Sequence, residues 1–341
     1  MEDEVFAAAE ELRRGGVVVL PTETVYGLAA NALDPIAVSK IFKIKGRPHS
    51  DPLIVHVLDD TWIDRYAYIN HYENRIRALV ESFWPGPLTL VIKKRAIIPD
   101  IVTAGFSSVA VRCPRHRMFH NVLALCDFPL AAPSANPFGY VSPTTAEQVR
   151  QTFGKKVKII VDGGSCSVGL ESTIVDISKE VPKILRPGAI TAEKISSVLD
   201  EPVSDYEQIV AENPTTPGQL KQHYCTTTKL VLFQNGHCEI PSVSSGKVAI
   251  IFNKKPSNIE KIMKKLPLSI EDIFWLSENG DQSDIARNLF ATMQKLDGIG
   301  YSVIFCERPK RDGIGVAIDD RLLRAAAKYQ VSDGKGPCLD V

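Results

Sequence analysis

The chain has 341 residues, 44% hydrophobic and 23% charged, with Lys plus Arg equal to Asp plus Glu at 40 each, so its formal net charge is zero. The length exceeds one ordinary core and predicts two domains. The charge balance argues against non-specific nucleic-acid binding, which draws most of its affinity from a basic excess.

The first elements follow from periodicity. Val5, Ala8, Ala9 and Leu12 recur at helical spacing, and Gly15-Gly16 would stop that helix. Residues 17–20 read as a buried strand that opens into the polar stretch Thr22-Glu23-Thr24-Val25-Tyr26-Gly27. Residues 35–44 predict a helix, 53–55 a strand, and 76–83 a helix ended by Pro85-Gly86-Pro87. Further strands are expected at 88–92, 109–112, 130–132, 159–161 and 172–177, and a helix start at Ser142 (N-cap) and Pro143 (N1). Short strands that follow one another without a helix predict a mixed sheet. Periodicity fades from 200 to 228, around Pro214-Thr215-Thr216-Pro217-Gly218, which reads as an interdomain linker. Strands at 230–233, 248–252, 273–276 and 303–306, with helices at 283–296 and 315–329, predict a small doubly wound domain. The expected division is therefore 1–199, a linker at 200–228, and 229–341.

The seven cysteines, Cys113, Cys126, Cys166, Cys225, Cys238, Cys306 and Cys338, are odd in number and form no C-x-x-C pair. That pattern predicts reduced thiols in a cytoplasmic protein, not a disulfide framework or structural zinc. The acidic start has no signal-peptide apolar region, and no apolar run reaches the length of a membrane span.

Polar groups gather at predicted strand ends. Lys43, Lys45 and Arg47 surround Gly46 and precede Pro48. One reading is a solvated helix end, with cations on the negative pole and glycine as the left-handed cap. The other is an anion site, since arginine offers a planar fork to phosphate and lysine a mobile charge. His56, Arg112 and Arg186 close three further strands, and Ser134-Ala135-Asn136 follows a fourth. If those ends share a face, Lys45, Arg47, Arg112 and Arg186 line a cleft suited to a polyanion. No P-loop is present, and no G-x-G-x-x-G follows the first strand.

In order along the chain stand PTETVYGL (21–28), KGRPHSDPLIVH (45–56), WPGPLTLVI (84–92), VAVRCP (109–114), PSANPFGYVSPT (133–144), ESTIVD (171–176) and LRPG (185–188). This series resembles the L-threonylcarbamoyladenylate synthases, whose catalytic part is the YrdC-like domain. PGQLKQHY (217–224), ARNLFATMQKLDGIG (286–300) and GIGVAIDDRLLRAAA (313–327) resemble the linker and C-terminal domain of the family's two-domain branch. The resemblance implies a twisted mixed-sheet YrdC-like α/β domain followed by a smaller Rossmann-like one. It implies a nucleotidyltransferase that converts L-threonine, bicarbonate and ATP to threonylcarbamoyl-AMP and pyrophosphate, with Mg2+ carried on the ATP phosphates. The product serves N6-threonylcarbamoylation of adenosine 37 in tRNA, which implies transient contact with the transferase that consumes it. Whether tRNA itself is touched is left open.

By the same resemblance, Thr24, His56, Arg112, Ser134 and Ser172 match threonine-contacting positions. Arg47, Asp51, Ser108, Asn136, Thr144, Arg186 and Tyr224 match ATP-contacting ones, and Lys45 matches the basic residue beside the phosphates. Lys45 and Arg47 are the expected catalytic pair, and the linker around Tyr224 is expected to act as a lid. Three positions depart from the family pattern: Asp51 stands where asparagine is usual, Ser108 where threonine is common, and Cys225 where alanine is usual. Two rivals were weighed. An RNA-binding module is disfavoured by neutral charge and few interleaved aromatics. A carbamoyl transferase of the hydrogenase-maturation type would carry zinc-finger and acylphosphatase-like segments that are not seen here.

Overall fold

In a computed structural model, all residues are described except 1, 70–71, 205, 207–214, 235–245, 266–268 and 331–341. Cys238, Cys338 and residues 205 and 207–214 of the expected linker lie outside the described residues. The first set of helices is α1 (Glu2–Arg13), α2 (Pro35–Lys45), α3 (Ile63–Tyr66), α4 (Glu73–Phe83), α5 (Asp100–Thr103), α6 (Arg117–Cys126), α7 (Ala146–Phe153) and α8 (Ala192–Leu199). They accompany strands β1 (Val18–Leu20), β2 (Gly27–Asn31), β3 (Ile54–His56), β4 (Leu88–Lys93), β5 (Ser108–Arg112), β6 (Leu130–Ala131), β7 (Thr173–Asp176) and β8 (Lys183–Arg186). There follow β9 (Lys229–Phe233), β10 (Val248–Lys254), α9 (Ile259–Lys265), β11 (Ile273–Ser277), α10 (Gln282–Asp297), β12 (Val303–Glu307) and α11 (Gly315–Gln330). The chain divides into two compact units. The first comprises residues 1–138 and 142–220, the second 139–141 and 221–341.

In the first unit eight strands form one sheet in the order β1-β2-β6-β3-β5-β4-β7-β8. The pairs β3/β5 and β4/β7 are parallel and the rest antiparallel, so the sheet is mixed. Its two faces have different fates. Val55, Leu90, Ile92, Val109, Val111 and Val175 point into the main core with Ala37, Val38 and Ile41 of α2 and Ile76 and Leu79 of α4. On the opposite face, Val5, Ala8, Ala9 and Leu12 of α1 and Phe119, Val122 and Leu123 of α6 cover only the end made by β1, β2 and β6. Alternation along the strands then places Ile54, Val91, Ala110 and Ile174 on that second face as a separate small cluster, with Leu185 at its edge.

The second unit holds a four-stranded sheet, β11-β10-β12-β9, parallel throughout. Helices α10 and α11 bury Ile285, Ala286, Leu289, Phe290, Ala317, Ile318 and Leu322. The architecture is thus a two-domain α/β protein with the smaller, doubly wound domain at the C-terminal end.

Some details differ from the sequence reading. Residues 159–161 meet Val19 through an isolated bridge and form no named strand. The helix expected from Ser142 begins at Ala146, because Thr145 and Gln148 make a reciprocal capping box there. Ser142 and Pro143 are spent elsewhere, on Glu171 Oε1 and on the Tyr26 amide. Strand β2, starting at Gly27, and helix α6 were not anticipated. Among the described residues no helix is long and apolar enough to cross a membrane. The five described cysteines are free thiols, all buried.

Candidate active site

Helix α2 buries Ala37, Val38, Ile41, Phe42 and Lys45, so the lysine occupies the next place on an apolar stripe. Asp34 caps the helix start and Pro35 opens it. Gly46 ends it with φ 64°, and the Arg47 amide donates back to Phe42 O (3.0 Å), the closing pattern of a Schellman turn. The cap reading therefore holds for Gly46, but the cations are not all solvated. Lys43 is exposed, whereas Lys45 and Arg47 are 4% and 6% exposed. Lys45 Nζ donates to the carbonyls of Ser134 and Asn136, each at 2.5 Å. Burial pushes its ammonium well below the usual lysine range, Arg47 adds to this, and Asp51 and Glu171 partly offset it. Arg47 donates to the carbonyls of Asp51 (3.1 Å) and Pro52 (2.8 Å) and lies 2.8 Å from Asp51 Oδ1. Its guanidinium also stands over the Phe138 ring at 5.9 Å. Asp51 is fully buried, and neither carboxylate oxygen has an aligned hydrogen-bond donor. Burial raises its carboxyl, against the opposing charges of Arg47, Lys45 and Arg186.

A second corner is built by β5. Arg112 donates to Glu23 Oε1 (2.6 Å) and to Gly86 O (3.2 Å), and both charged groups are buried. Glu23 also accepts from the Arg115 amide at 2.9 Å. Burial alone would raise its carboxyl, but Arg112 and the amide hold it below the usual range. The Glu23 side chain thus fixes the orientation of the arginine that sequence reading assigned to threonine contact. His56 is the in-register neighbour of Arg112 across β3 and β5. Its ring packs on Phe119 (5.2 Å), and burial with the Arg112 charge pushes its pKa down to about 3. The imidazole is therefore neutral at physiological pH. Thr24 is fully buried, its hydroxyl 2.8 Å from that of Thr22.

The third corner connects the other two. Thr89 is the cross-strand partner of Arg112, and its hydroxyl lies 2.7 Å from that of Ser172. Arg186 donates to Ser172 Oγ (3.1 Å), Ser172 O (3.0 Å) and Pro217 O (3.3 Å). Two hydroxyls therefore connect Arg186 to Thr89, the cross-strand neighbour of Arg112, and Arg186 in turn acts electrostatically on Asp51 beside Lys45 and Arg47. By alternation, Thr89 and Arg112 lie on the sheet face that Ile54, Val91, Ala110 and Ile174 form. Ser108 begins the strand that Arg112 ends, on the same face by alternation. Thr144 is buried, and Gln148 Oε1 accepts from its amide at 2.7 Å. Ser134 and Asn136 take part through their carbonyls.

Tyr224 belongs to the second unit. It has φ 63°, is fully buried, and stacks on Phe290 with centroids 5.4 Å apart, while Arg321 lies 5.3 Å from its ring. Residues 215–220 of the linker belong to the first unit, where Pro217 meets Arg186. Sequence reasoning did not assign roles to Glu23, Thr89 or Glu171. A carboxylate inside a polar loop directly after a buried strand was the available signal for Glu23.

The fold defines a two-domain α/β protein whose first unit buries the cations Lys45, Arg47, Arg112 and Arg186. Residues 10–188 match the family model described as "Telomere recombination", and residues 190–327 match "Threonylcarbamoyl-AMP synthase, C-terminal domain". The threonylcarbamoyl-AMP synthase of Pyrococcus abyssi is 35% identical, over 95% of this chain and 94% of its own length. That of Bacillus subtilis is 33% identical, over 95% and 93%. A crystal structure of P. abyssi Sua5 complexed with L-threonine superposes with a TM-score of 0.82 at 33% identity, covering 96% of this chain and 95% of that one. The chain belongs to the threonylcarbamoyl-AMP synthase family.

Proposed function

We propose that the chain condenses L-threonine, bicarbonate and ATP into threonylcarbamoyl-AMP, releasing pyrophosphate, to supply threonylcarbamoylation of tRNA. The observation that carries this reading is that Lys45, Arg47 and Arg186 all act on the buried Asp51, while Glu23 pins the buried Arg112. One side suits a triphosphate and the other an amino-acid carboxylate. The threonine complex of the P. abyssi relative supports the second assignment.

Threonine's neutral amine adds to CO2 derived from bicarbonate and gives a carbamate. The carbamate oxygen attacks the α-phosphorus, the bond to the bridging oxygen breaks, and pyrophosphate departs with that electron pair. No covalent enzyme intermediate is needed, so positioning and charge neutralisation dominate. Arg112 pairs with the threonine carboxylate while Glu23 holds its guanidinium in place. Neutral His56, Thr24, Ser134 and Ser172 orient the amino acid. Lys45 and Arg47 offset charge growing on the phosphates. Arg186, Ser108, Asn136 and Thr144 seat the nucleotide. Approaching phosphate charge favours the Lys45 ammonium, against the burial that disfavours it.

Among the described residues no trio of His, Cys, Asp or Glu gathers as a metal site. Asp51, buried with no aligned donor on either oxygen, suits one hard cation brought in on the nucleotide. Bound there, Mg2+ would neutralise phosphate charge. The linker, tied at Pro217 to Arg186, would close over the product and keep water from its acyl phosphate. The product then passes to the transferase that acts on tRNA. The test is pyrophosphate release by the purified full chain: it is expected only when threonine, bicarbonate and ATP are all present. Release that ignores threonine or bicarbonate contradicts the reading.

A further inference from the structure

Glu171 is a buried carboxylate of the first unit that the condensation chemistry leaves without a task. It is 6% exposed and immediately precedes Ser172, whose hydroxyl meets Thr89 and Arg186. Burying an ionised carboxylate is costly unless it is paired and hydrogen-bonded, so its partners reveal what it is kept for. Its Oε1 accepts from Ser142 Oγ at 2.5 Å, and the serine is fully buried. A hydroxyl donating to a carboxylate makes a charge-assisted bond, about twice as strong as one between neutral groups. The same charge acts on Lys45, opposing the burial that disfavours the ammonium.

The carboxylate stands on a fixed base. Thr173 opens β7 two residues further on, and its amide donates to Pro87 O at 3.0 Å. Thr173 Oγ1 donates to Ile190 O (2.6 Å) and accepts from the Ile190 amide (3.1 Å). Gly188 packs directly on this strand start: a Cβ there would come within 2.9 Å of Glu171 O and 2.5 Å of the Thr173 nitrogen. The backbone at 171–173 therefore has little room to shift.

Ser142, at the other end of the bond, heads the segment that delivers Thr144. Pro143 O accepts from the Tyr26 amide (2.9 Å), and Thr144 O accepts from the Cys166 amide (2.9 Å). The amides of Thr144 and Thr145 both donate to Gln148 Oε1, at 2.7 and 3.1 Å. Among these ties the bond to Glu171 alone carries a charge, and it is the one that reaches the start of β7. The serine that local sequence offers as a helix cap is thus committed to a carboxylate 29 residues away.

We propose that Ser142 and Glu171 are a positioning pair for the nucleotide, the carboxylate holding residues 142–144 in the pose that presents Thr144. This inference rests on the functional reading above, which gives Thr144 to ATP.

The test is a double-mutant cycle in full-length protein, read on the Kd for ATP. Ser142→Ala removes the donor, and Glu171→Met keeps the side-chain length but has no oxygen. Ser142→Ala is expected to raise the ATP Kd by about three- to tenfold, the worth of one lost hydrogen bond. In a Glu171→Met background the same serine change should alter the ATP Kd by less than about twofold, because its partner is already gone. Any effect of Glu171→Met through Lys45 is common to both backgrounds and cancels from the comparison. The Kd for threonine should stay within about twofold in Ser142→Ala, the limit set for a site this loss does not touch. Hydrogen exchange at the amides of Thr144, Thr145 and Cys166 should quicken, while residues 108–112 keep wild-type protection. A merely structural pair would lower the urea midpoint and leave the ATP Kd of the folded protein unchanged, which overturns the proposal. An equal serine effect in both backgrounds overturns it too, as does an equal rise in the two Kd values. If Glu171→Met fails to fold, Glu171→Gln replaces it. Its acceptor is neutral, so the serine effect should shrink, and an undiminished effect counts against the pair. Wild-type protein that binds ATP but releases no pyrophosphate overturns the functional reading instead, and the cycle on ATP Kd still decides the role of the pair.

Discussion

His56 makes the stability of the first unit depend on pH in a direction that can be worked out beforehand. Its folded-state pKa is about 3, against an ordinary value of 6.5, because burial and the Arg112 charge disfavour imidazolium. Between those two values the unfolded chain holds a proton that the folded chain rejects. The stabilisation is therefore complete above pH 6.5 and is lost as pH falls through the window toward 3. Going from pH 8 to pH 5 should cost about 2 kcal/mol through this one group, with about 5 kcal/mol as the limit below pH 3. The assay is urea unfolding followed by Trp62 and Trp84, both in the first unit, in a Trp275→Phe background. His56→Gln removes the titrating group, so its unfolding free energy should fall by about 2 kcal/mol less over the same pH range. Identical pH slopes for the two proteins would refute the claim that the imidazole is buried neutral against Arg112.

Lys45→Ala and Arg47→Ala should each reduce threonine- and bicarbonate-dependent pyrophosphate release by on the order of a hundredfold or more in folded protein, and wild-type turnover in either removes its charge-neutralising role. Glu23→Gln leaves the Arg112 guanidinium buried without its counter-charge. It should destabilise the first unit by about 3–5 kcal/mol in urea titrations and raise the threonine KM more than the ATP KM. Arg186→Lys cannot meet Ser172 O, Ser172 Oγ and Pro217 O with one ammonium, and should raise the ATP KM by about tenfold in steady-state assays.

Local patterns were enough for most of the fold. The buried strands at 54–56, 88–93, 108–112 and 303–307 announced themselves as apolar runs, and Gly46 as a cap, because these depend on neighbours along the chain. The helix start at Thr145 was misplaced because Ser142-Pro143 satisfies the same local rule, and only the distant Glu171 and Tyr26 decide between them. Lys45 carried a readable sign, a cation continuing the stripe Ala37, Val38, Ile41, Phe42, although a charge run reads first as solvated surface. Glu23 could be seen as polar but not as the partner of Arg112, which lies 89 residues away. That Gly139–Val141 fall with the second unit left no trace in composition or period.

The full chain incubated with α-labelled ATP and carbon-labelled bicarbonate in the presence of threonine offers the most direct trial of the cationic cleft as a condensation site. One product carrying both labels, absent when threonine is omitted, is the predicted result. Adenylate label that never co-migrates with the bicarbonate carbon would contradict it.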